Sequence, residues 1–324
     1  MSDTLHIRGL EVERGNKLRT CLPVLDTTLD TTIEIPITII NGRNDGPTLL
    51  ITAGIHGGEY PGIAAAMELG RDITPEDISG CLIMMHPVNI QGFWARRAFV
   101  VPEDGKNLNR EFPGDVNGTL SQKTAWLLSQ HFFPLADFYV DMHSGDIHEE
   151  LHPYVYYPGL PNNEISEKSR EVAKILDMEF MVRSMATTGA YNCAAISGIP
   201  SLLIERGGAG LCLREDIEAY KNDVRNILRK LGMFSRPVQP RRHSPRDVVD
   251  IIYLESMETG CWLHHIHSGD YVEKGQELGR MVNVFGETIT SYYAEQDGVI
   301  LYICPALAAP KDTVLVAYGK LMLD

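Results

Sequence analysis

The chain has 324 residues, of which 44% are hydrophobic, and its 29 lysines and arginines against 43 aspartates and glutamates give a net charge of −14. This length suits one α/β domain with a smaller companion, and the negative charge disfavours binding to nucleic acid or to an anionic membrane. The six cysteines include no CxxC pair, and no stretch approaches the ~20 apolar residues of a membrane-spanning helix, so we expect a soluble cytoplasmic protein with reduced thiols.

Strands and helices are predicted to alternate over the first 240 residues. Strands are predicted at residues 33–40, 48–55, 81–85, 136–142 and 199–204. The last four are continuous apolar runs, which is typical of parallel strands covered on both faces. Apolar residues at helical spacing predict helices at 63–69, 119–133, 163–176 and 215–231. We therefore predict an α/β fold with a mixed, mostly parallel sheet flanked by helices.

The sequence changes character near residue 240. Residues 234–245 are rich in proline and charge, which is typical of an interdomain linker. Short strands separated by turns follow, so residues 246–324 are predicted to form a smaller all-β domain. The first domain is expected to cover residues 1–240 and to begin with a β-rich lead-in.

Residues that can bind a metal ion follow two of the predicted parallel strands. His56 and Glu59 lie in a glycine-containing loop after the strand at 48–55, and His143 follows the strand at 136–142. The carboxyl ends of such strands are where open α/β sheets bind their ligands. Two imidazoles and one carboxylate are a set used by hydrolytic zinc, although other divalent ions accept the same donors. The pattern predicts one catalytic Zn²⁺ site.

Two further carboxylates belong to the same strand ends. Glu205 ends the strand at 199–204, and a carboxylate beside water at a metal ion is suited to act as the general base. Asp141 precedes His143 by two residues on the same face of the strand. It either hydrogen-bonds the imidazole or caps a turn.

Three arginines and one asparagine are candidates for substrate binding or catalysis. Asn109 and Arg110 are suited to hold a substrate carboxylate by charge-assisted hydrogen bonds, or they form an ordinary surface turn. Arg96 or Arg97 is suited to stabilise the oxyanion formed when an amide is attacked, and the sequence leaves open which of the two does so.

Four motifs carry a family resemblance. HGGE at 56–59, NLNREFPG at 107–114, DMHSG at 141–145 and IPSLLIERGG at 199–208 occur in the order seen in the succinylglutamate desuccinylase/aspartoacylase family of the zinc carboxypeptidase superfamily. The chain resembles this family over most of its length, which implies a zinc-carboxypeptidase-like catalytic domain at 1–240.

The resemblance also implies roles for individual residues. Zn²⁺ would be held by His56, Glu59 and His143, and Glu205 would be the base that later protonates the leaving amine. Asn109 and Arg110 would hold the α-carboxylate of the substrate, and Arg97 would polarise the carbonyl. Tyr191, expected in the loop before the last strand of the domain, resembles a substrate-contacting tyrosine, although a packed loop tyrosine is the alternative.

Two departures bear on the substrate. Gly189 stands where aspartate-selective members tend to place an arginine, so acidic amino acids are disfavoured. The segment DGKNLNREFPG at 104–114 resembles the branch that removes acetyl groups from N-acetyl-diaminobutyrate in ectoine breakdown. The sequence leaves the acyl group and the side chain open.

Residues 250–324 resemble a lipoyl or biotinyl module through HSGDYVEKGQELG at 267–279 and EQDGVIL at 295–301. The hairpin expected to present a modified lysine instead reads TSYYA at 290–294, so a carrier role is excluded. A domain that covers one side of the catalytic cleft is expected, as in the family.

Other histidines are interpreted as lying outside the metal site. His148 and His152, beside Glu149 and Glu150, are expected in a lid or surface segment, and His86 either lines the cleft or lies in the core. His264 and His265 are expected on opposite faces of a strand, which disfavours a second metal site.

We therefore predict a zinc-dependent amidohydrolase that acts on a small N-acyl amino acid and is compatible with a homo-oligomer. The alternatives are a zinc carboxypeptidase that cleaves peptides and a non-catalytic ligand-binding protein that retains the metal.

Overall fold

The computed structural model describes residues 4–26, 31–160, 163–235 and 241–322. Residues 236–240 of the predicted linker lie outside the described residues. Within the described ranges, no helix is both long enough and apolar enough to cross a membrane.

Up to residue 235, the described residues form eleven strands and six α-helices. The strands are β1 (Thr4–Ile7), β2 (Leu10–Glu13), β3 (Lys17–Asp26), β4 (Thr31–Asn41), β5 (Asn44–Ala53), β6 (Ser79–Met85), β7 (Phe138–His143), β8 (Glu150–Leu151), β9 (Tyr154–Pro158), β10 (Phe180–Ser184) and β11 (Ser201–Glu205). The helices are α1 (Tyr60–Asp72), α2 (Ile90–Trp94), α3 (Leu120–Leu127), α4 (Asn163–Ala173), α5 (Ala190–Ile196) and α6 (Arg214–Lys230).

The predicted helices are present, with one change in geometry. The region predicted as one helix over 119–133 begins as α3, and its end is irregular. A π-helical turn at Leu128–Phe132 and a 3-10 turn at Phe133–Leu135 follow α3. At the opposite end, the side-chain oxygen of Gln122 accepts a hydrogen bond from the backbone N–H of Thr119 at 3.0 Å, which caps the helix start.

Most strands join one mixed sheet, whose central order is β6-β5-β7-β11-β9-β10. The pairs β5/β6, β5/β7, β7/β11 and β9/β10 are parallel, whereas β9/β11 is antiparallel. β4 and β3 extend the sheet beyond β6 with antiparallel pairing. The predicted mixed sheet, mostly parallel over residues 1–240, is confirmed.

The central strands are covered on both faces. Leu49 and Ile51 of β5 pack in one apolar cluster with Leu69 of α1 and Val224 of α6. Leu50 belongs to a second cluster, which also contains Phe132. Both faces therefore need apolar side chains, which explains the continuous hydrophobic run in this strand.

The remaining strands are antiparallel to one another and make two layers. They are β12 (Arg246–Glu255), β13 (Gly260–His264), β14 (Tyr271–Val272), β15 (Glu277–Val282), β16 (Thr288–Tyr293), β17 (Gly298–Ile303), β18 (Ala308–Ala309) and β19 (Val314–Leu321). One layer, β14-β17-β19-β12, continues the large sheet because β12 pairs in parallel with β10. The other layer is β16-β15-β13-β18, and Trp262, Leu278 and Leu315 belong to the apolar core of this region. The all-β character is confirmed, and the sheet runs across the predicted domain boundary.

The predicted position of the lysine-presenting hairpin is wrong. Residues 290–293 lie inside strand β16, which pairs with β15. The turn between these two strands covers residues 283–287, where the amide of Gly286 donates to the carbonyl oxygen of Asn283 at 2.9 Å. That turn contains no lysine either, because it reads NVFGE.

Candidate active site

The loop between β5 and α1 places His56 and Glu59 at the carboxyl edge of the sheet. A side-chain carbon at Gly57 would lie 2.3 Å from the backbone carbonyl carbon of Gly92. A side-chain carbon at Gly58 would lie 2.9 Å from the carbonyl oxygen of Arg97. Because both distances are too short for a real contact, glycine is needed where this loop passes the α2 region.

His56, Glu59 and His143 converge, and we call them the His-Glu-His group. The Glu59 carboxylate contacts His56 Nδ1 at 2.7 Å through one oxygen and His143 Nδ1 at 2.9 Å through the other. One ligand atom from each residue lies within 4.8 Å of the other two. Among the described residues, this is the only group of three or more histidine, cysteine or acidic side chains with such a spacing.

Each imidazole also contacts an oxygen atom through its Nε2 atom, on the side of the ring away from Glu59. His56 Nε2 lies 3.0 Å from the amide oxygen of Asn107, and His143 Nε2 lies 3.0 Å from Asp141. Asp141 is fully buried and also accepts a hydrogen bond from the Thr52 hydroxyl at 2.7 Å. Since each Nε2 faces an acceptor, each Nδ1 directs a lone pair toward Glu59 unless it is protonated. Three electron-rich atoms facing one point fit a divalent cation.

The electrostatics of the group favour a positive charge at that point. Burial acts to raise the pKa of Glu59, but the two imidazoles outweigh it and bring the pKa to about 2. Burial also acts to lower the pKa of His143, yet Asp141 and Glu59 raise it well above its usual value. The carboxylates therefore stabilise a cation between them, either as a proton on the imidazole or as a metal ion.

Glu205 lies opposite His143 because their strands are parallel neighbours in register. Glu205 is the register partner of His143 in the β7/β11 pair. Its Oε2 atom is buried and has no hydrogen-bond partner among the described residues. Burial, with smaller contributions from neighbouring carboxylates, raises the pKa of Glu205 well above its usual value. The next residue anchors the strand end, since Arg206 Nε donates to the buried carboxylate of Asp223 at 2.6 Å.

A cavity of about 480 Å³ opens beside the His-Glu-His group and Glu205. Its acidic side chains are Glu59, Asp146, Glu149 and Glu205, and Arg110 is the single lysine or arginine in its described lining. Five tyrosines, which we call the tyrosine wall, also line it; they are Tyr154, Tyr156, Tyr191, Tyr253 and Tyr302. The last two belong to β12 and β17, and Val314 of β19 lines the cavity as well. The expectation that the C-terminal β region covers one side of the cleft agrees with this lining.

Asn109 and Arg110 both line this cavity from a 3-10 turn at Leu108–Arg110. Asn109 is buried, and its side-chain oxygen accepts a hydrogen bond from the Ala190 N–H at 2.8 Å. Its amide NH₂ is therefore the group left to bind a ligand. Gly189 lies beside it with a φ of +93°, and a side-chain carbon there would lie 3.1 Å from the Asn109 oxygen.

The structure does not bring Arg96 or Arg97 to the cavity. Both side chains are exposed, and neither belongs to the lining residues. The backbone of Arg97 instead packs on helix α2, since its N–H donates to the Gly92 carbonyl oxygen at 2.9 Å. We expected one of these arginines to lie beside the substrate carbonyl, but neither side chain lines the cavity in this structure.

Tyr191 reaches the cavity from a different element than predicted. It lies in the first turn of helix α5 and not in a loop, and it is only 5% exposed. Its ring centroid is 6.4 Å from that of Tyr156. Gly189, with its positive φ, directly precedes this helix, and the start of α5 at this point is what the loop interpretation missed.

Sequence reasoning also missed Asp146 and Glu149. Glu149 was assigned to a lid or surface segment, but it lines the cavity and is half-buried. Burial, with Asp146 and Glu59 nearby, raises the pKa of Glu149 to about 8. Glu150 faces elsewhere and accepts a hydrogen bond from Ser268. Sequence reasoning also missed Tyr154 and Tyr156 of the tyrosine wall. Their spacing of two residues was a signal that both side chains face the same side, because alternate strand residues share one face.

The other histidines lie outside the cavity lining. His86 is buried in the core, 3.4 Å from the Thr38 hydroxyl. His148 is exposed. His152 packs against the Phe180 ring at a centroid distance of 5.2 Å. His264 hydrogen-bonds the Ile266 carbonyl oxygen at 2.9 Å.

Comparison with known proteins gives a consistent set of matches. Residues 45–231 match the model of the succinylglutamate desuccinylase/aspartoacylase catalytic domain. An N-alpha-acetyl-L-2,4-diaminobutyric acid deacetylase from Halomonas elongata is 30% identical over 277 residues, which cover 83% of this chain and 80% of that protein.

Two solved structures share the fold over nearly the whole chain. A succinylglutamate desuccinylase/aspartoacylase from Rhodobacter sphaeroides has a TM-score of 0.88 at 25% identity and covers 100% of both chains. The ectoine utilization protein EutE (DoeB) from Ruegeria pomeroyi, in a product-bound structure, has a TM-score of 0.87 at 25% identity and covers 99% of this chain and 100% of that one.

Proposed function

The chain belongs to the succinylglutamate desuccinylase/aspartoacylase family, and from this premise we propose that it hydrolyses the amide bond of an N-acyl amino acid. N-α-acetyl-2,4-diaminobutyrate is the first candidate substrate, because the Halomonas elongata relative is named for it. The observation that carries the proposal is the meeting of the His-Glu-His group, Glu205 and Arg110 in one cavity.

His56, Glu59 and His143 would hold Zn²⁺, since their donor atoms and spacing fit this ion. When bound, zinc supplies a Lewis acid that polarises the acyl carbonyl and lowers the pKa of water. Asn107 and Asp141 orient the two imidazoles through their Nε2 atoms. A cation beside Glu205 would also lower the pKa of its carboxyl, so that this group can accept a proton.

Glu205 takes a proton from the attacking water while the oxygen adds to the acyl carbon. The carbon–nitrogen bond then breaks, and Glu205 delivers the proton to the leaving nitrogen. The products are a carboxylic acid and a free amino acid. Arg110, with the amide NH₂ of Asn109, binds the α-carboxylate and places the scissile bond, and Tyr191 packs against the bound substrate.

The residue that polarises the carbonyl besides the metal is Arg97 by family resemblance. Its side chain is exposed, so this role requires it to turn into the cavity when substrate binds. Arg97→Ala should then lower kcat by about 10²-fold, whereas the neighbouring Arg96→Ala should leave kcat nearly unchanged. Equal kcat values for the two variants would remove Arg97 from the mechanism.

The two alternatives receive less support. A peptide needs an extended cleft, and Tyr253, Tyr302 and Val314 of the C-terminal β region line the cavity on one side. A binding protein without activity has no use for a buried carboxylate such as Glu205 beside the His-Glu-His group. We also propose that residues 1–240 supply the chemistry and residues 246–324 supply this side of the cavity.

Free-amine release from a panel of N-acetyl and N-succinyl amino acids tests the function. The zinc-loaded protein and a chelated sample should be run in parallel. Hydrolysis that chelation removes and added zinc restores is the expected result. If zinc-loaded protein releases no amine from the panel but cleaves peptides, the substrate proposal is wrong; if it does neither, the binding alternative is favoured.

A further inference from the structure

Two acidic residues of the cavity have no role in the proposed reaction. Asp146 is 6% exposed, and Glu149 is half-buried. Asp146 accepts a hydrogen bond from the His148 N–H at 2.6 Å, and Glu149 accepts a long one from the Asp146 N–H at 3.4 Å. Among the described residues, no lysine, arginine or histidine forms an ion pair with either carboxylate.

The backbone that carries Glu149 is held in place. Its carbonyl oxygen accepts a hydrogen bond from the Ala209 N–H at 2.7 Å. A side-chain carbon at either Gly145 or Gly208 would lie 2.4 Å from the same oxygen, so two glycines allow this close packing. The backbone of Glu149 is therefore packed against two neighbouring segments, and its side chain lines the cavity from this position.

Glu149 lies next to the tyrosine wall, because Tyr302 is the register partner of Leu151, two residues after Glu149, and both Glu149 and Tyr302 line the cavity. Burial raises the pKa of Tyr302 well above its usual value, and Glu149 is the next contributor. Tyr302 also contributes to the electrostatic environment of Tyr156, whose hydroxyl lies 3.3 Å from that of Tyr253. The faces of tyrosine rings carry partial negative charge, which suits a cation as the neighbouring ligand.

The charges in the cavity are unbalanced at this wall. Of its four carboxylates, Glu59 and Glu205 are used by the metal and the base, and Arg110 is used by the α-carboxylate. Asp146 and Glu149 form no ion pair among the described residues, and burial together with Asp146 and Glu59 raises the pKa of Glu149 to about 8, which a cation bound beside it would lower. The described lining of the cavity contains no lysine or arginine besides Arg110, so a positively charged part of the substrate would balance the pair.

We propose that Glu149 determines specificity by binding a terminal amine on the amino-acid side chain of the substrate, with Asp146 adding negative charge beside it. This inference rests on the proposed function and narrows its substrates to N-α-acyl amino acids with a short aminoalkyl side chain. The same carboxylates repel acidic side chains, for which the cavity lining offers no second lysine or arginine.

The test compares two substrates of equal chain length. N-α-acetyl-2,4-diaminobutyrate ends in an ammonium group, and N-α-acetyl-norvaline ends in a methyl group. The native protein should have a higher kcat/KM for the diaminobutyrate derivative than for the norvaline derivative. Loss of a charge-assisted hydrogen bond in Glu149→Gln should reduce kcat/KM for the amine about 10- to 100-fold. The norvaline derivative should change by no more than a few fold, and Glu149→Asp should restore part of the preference.

Glu150→Gln is the matched control. Glu150 is the next residue and also half-buried, but it pairs with Ser268 and does not line the cavity. It should retain the native preference for the amine. An equal loss for both substrates in Glu149→Gln would indicate a structural role and overturn the inference, as would a native protein that does not distinguish the two.

Calorimetric binding of the free products separates this inference from the proposed function. 2,4-Diaminobutyrate should bind to the zinc-loaded protein more tightly than norvaline, and Glu149→Gln should remove the difference. If no N-acyl amino acid is hydrolysed but this difference is found, the proposed function fails and the amine subsite stands. If hydrolysis occurs and the two products bind equally, the subsite is wrong and the function stands.

Discussion

The His-Glu-His group and the tyrosine wall face the same cavity but are assembled differently. His143 and Glu205 end neighbouring parallel strands, and His56 and Glu59 lie three residues apart in one loop. The tyrosine wall combines residues from β9, α5, β12 and β17. The His-Glu-His group is thus assembled at the strand ends of one sheet. The tyrosine wall forms only when segments that are far apart in the chain pack together.

The two regions also differ in how tightly their polar atoms are held. Each imidazole of the His-Glu-His group has a partner within 3.0 Å on both nitrogens. In the wall, the hydroxyls of Tyr156 and Tyr253 are 3.3 Å apart, and Tyr253 is 48% exposed. A preorganised group suits chemistry, while a looser wall suits recognition, so substitutions should have larger effects in the group than in the wall.

Removing a member of the group should have the largest effect. His143→Ala deletes one of the proposed metal ligands and leaves Glu59 and Asp141 buried without their shared partner. We expect loss of metal and of hydrolysis, with unfolding free energy reduced by about 3–5 kcal/mol. Metal content, amine release and urea unfolding measure this. His148→Ala, which changes an exposed histidine nearby, should behave like the native protein. Chelation of native protein followed by zinc addition checks the metal requirement without a folding defect.

Changing Glu205 separates chemistry from metal binding at the same end of the cavity. Glu205→Gln keeps the side-chain shape but removes the proton acceptor. We expect kcat to fall by about 10²- to 10⁴-fold, the usual contribution of a general base. Metal content should equal that of the native protein. Turnover within a few fold of native would exclude Glu205 as the base.

A substitution at Asn107 tests whether the hydrogen bond that orients His56 contributes to metal binding. Its amide oxygen holds His56 Nε2 and also accepts a hydrogen bond from the Asn109 N–H at 2.9 Å. Asn107→Ala should weaken zinc affinity about 10- to 100-fold, as for other residues that orient a metal ligand. Titration with a competing chelator measures this affinity. Activity that excess zinc cannot recover at all would place the role of Asn107 outside metal binding.

Substitutions in the tyrosine wall should have the smallest effect on hydrolysis. Tyr253→Phe removes one hydroxyl that contacts only Tyr156 among the described hydrogen-bond partners. A single such bond contributes about 1 kcal/mol, so KM should rise by a few fold with kcat nearly unchanged. Tyr293→Phe, on an exposed tyrosine of β16, is the control. A large fall in kcat for Tyr253→Phe would end the distinction between the two regions.

The sequence predicted the group and its surroundings well for local reasons. Strand ends are visible as apolar runs that stop at a polar residue, and the pairs β5/β7 and β7/β11 bring those ends together. The Asp141–His143 hydrogen bond follows from two residues on one face of β7. Gly57 and Gly58 are needed where the loop passes the α2 region, as their positions beside His56 indicated.

The failures concern residues whose surroundings come from elsewhere in the chain. Glu149 was placed with its segment in a lid or at the surface, yet it lines the cavity and its backbone packs against Gly145 and Gly208. Tyr191 was assigned to a loop, because the positive φ of Gly189 that begins α5 leaves no signal in hydrophobic spacing. The exposed positions of Arg96 and Arg97 likewise depend on how α2 packs and not on their own sequence.

By itself, the sequence determined the fold class, the strand ends and the residues of the His-Glu-His group with Glu205, because hydrophobic periodicity and short spacing act within a few residues. Only the tertiary structure decided the tyrosine wall, the burial of Glu149 and the continuation of the sheet from β10 into β12. These features arise from contacts between segments far apart in the chain, and a side chain's exposure and charge balance are set by whichever segments cover it.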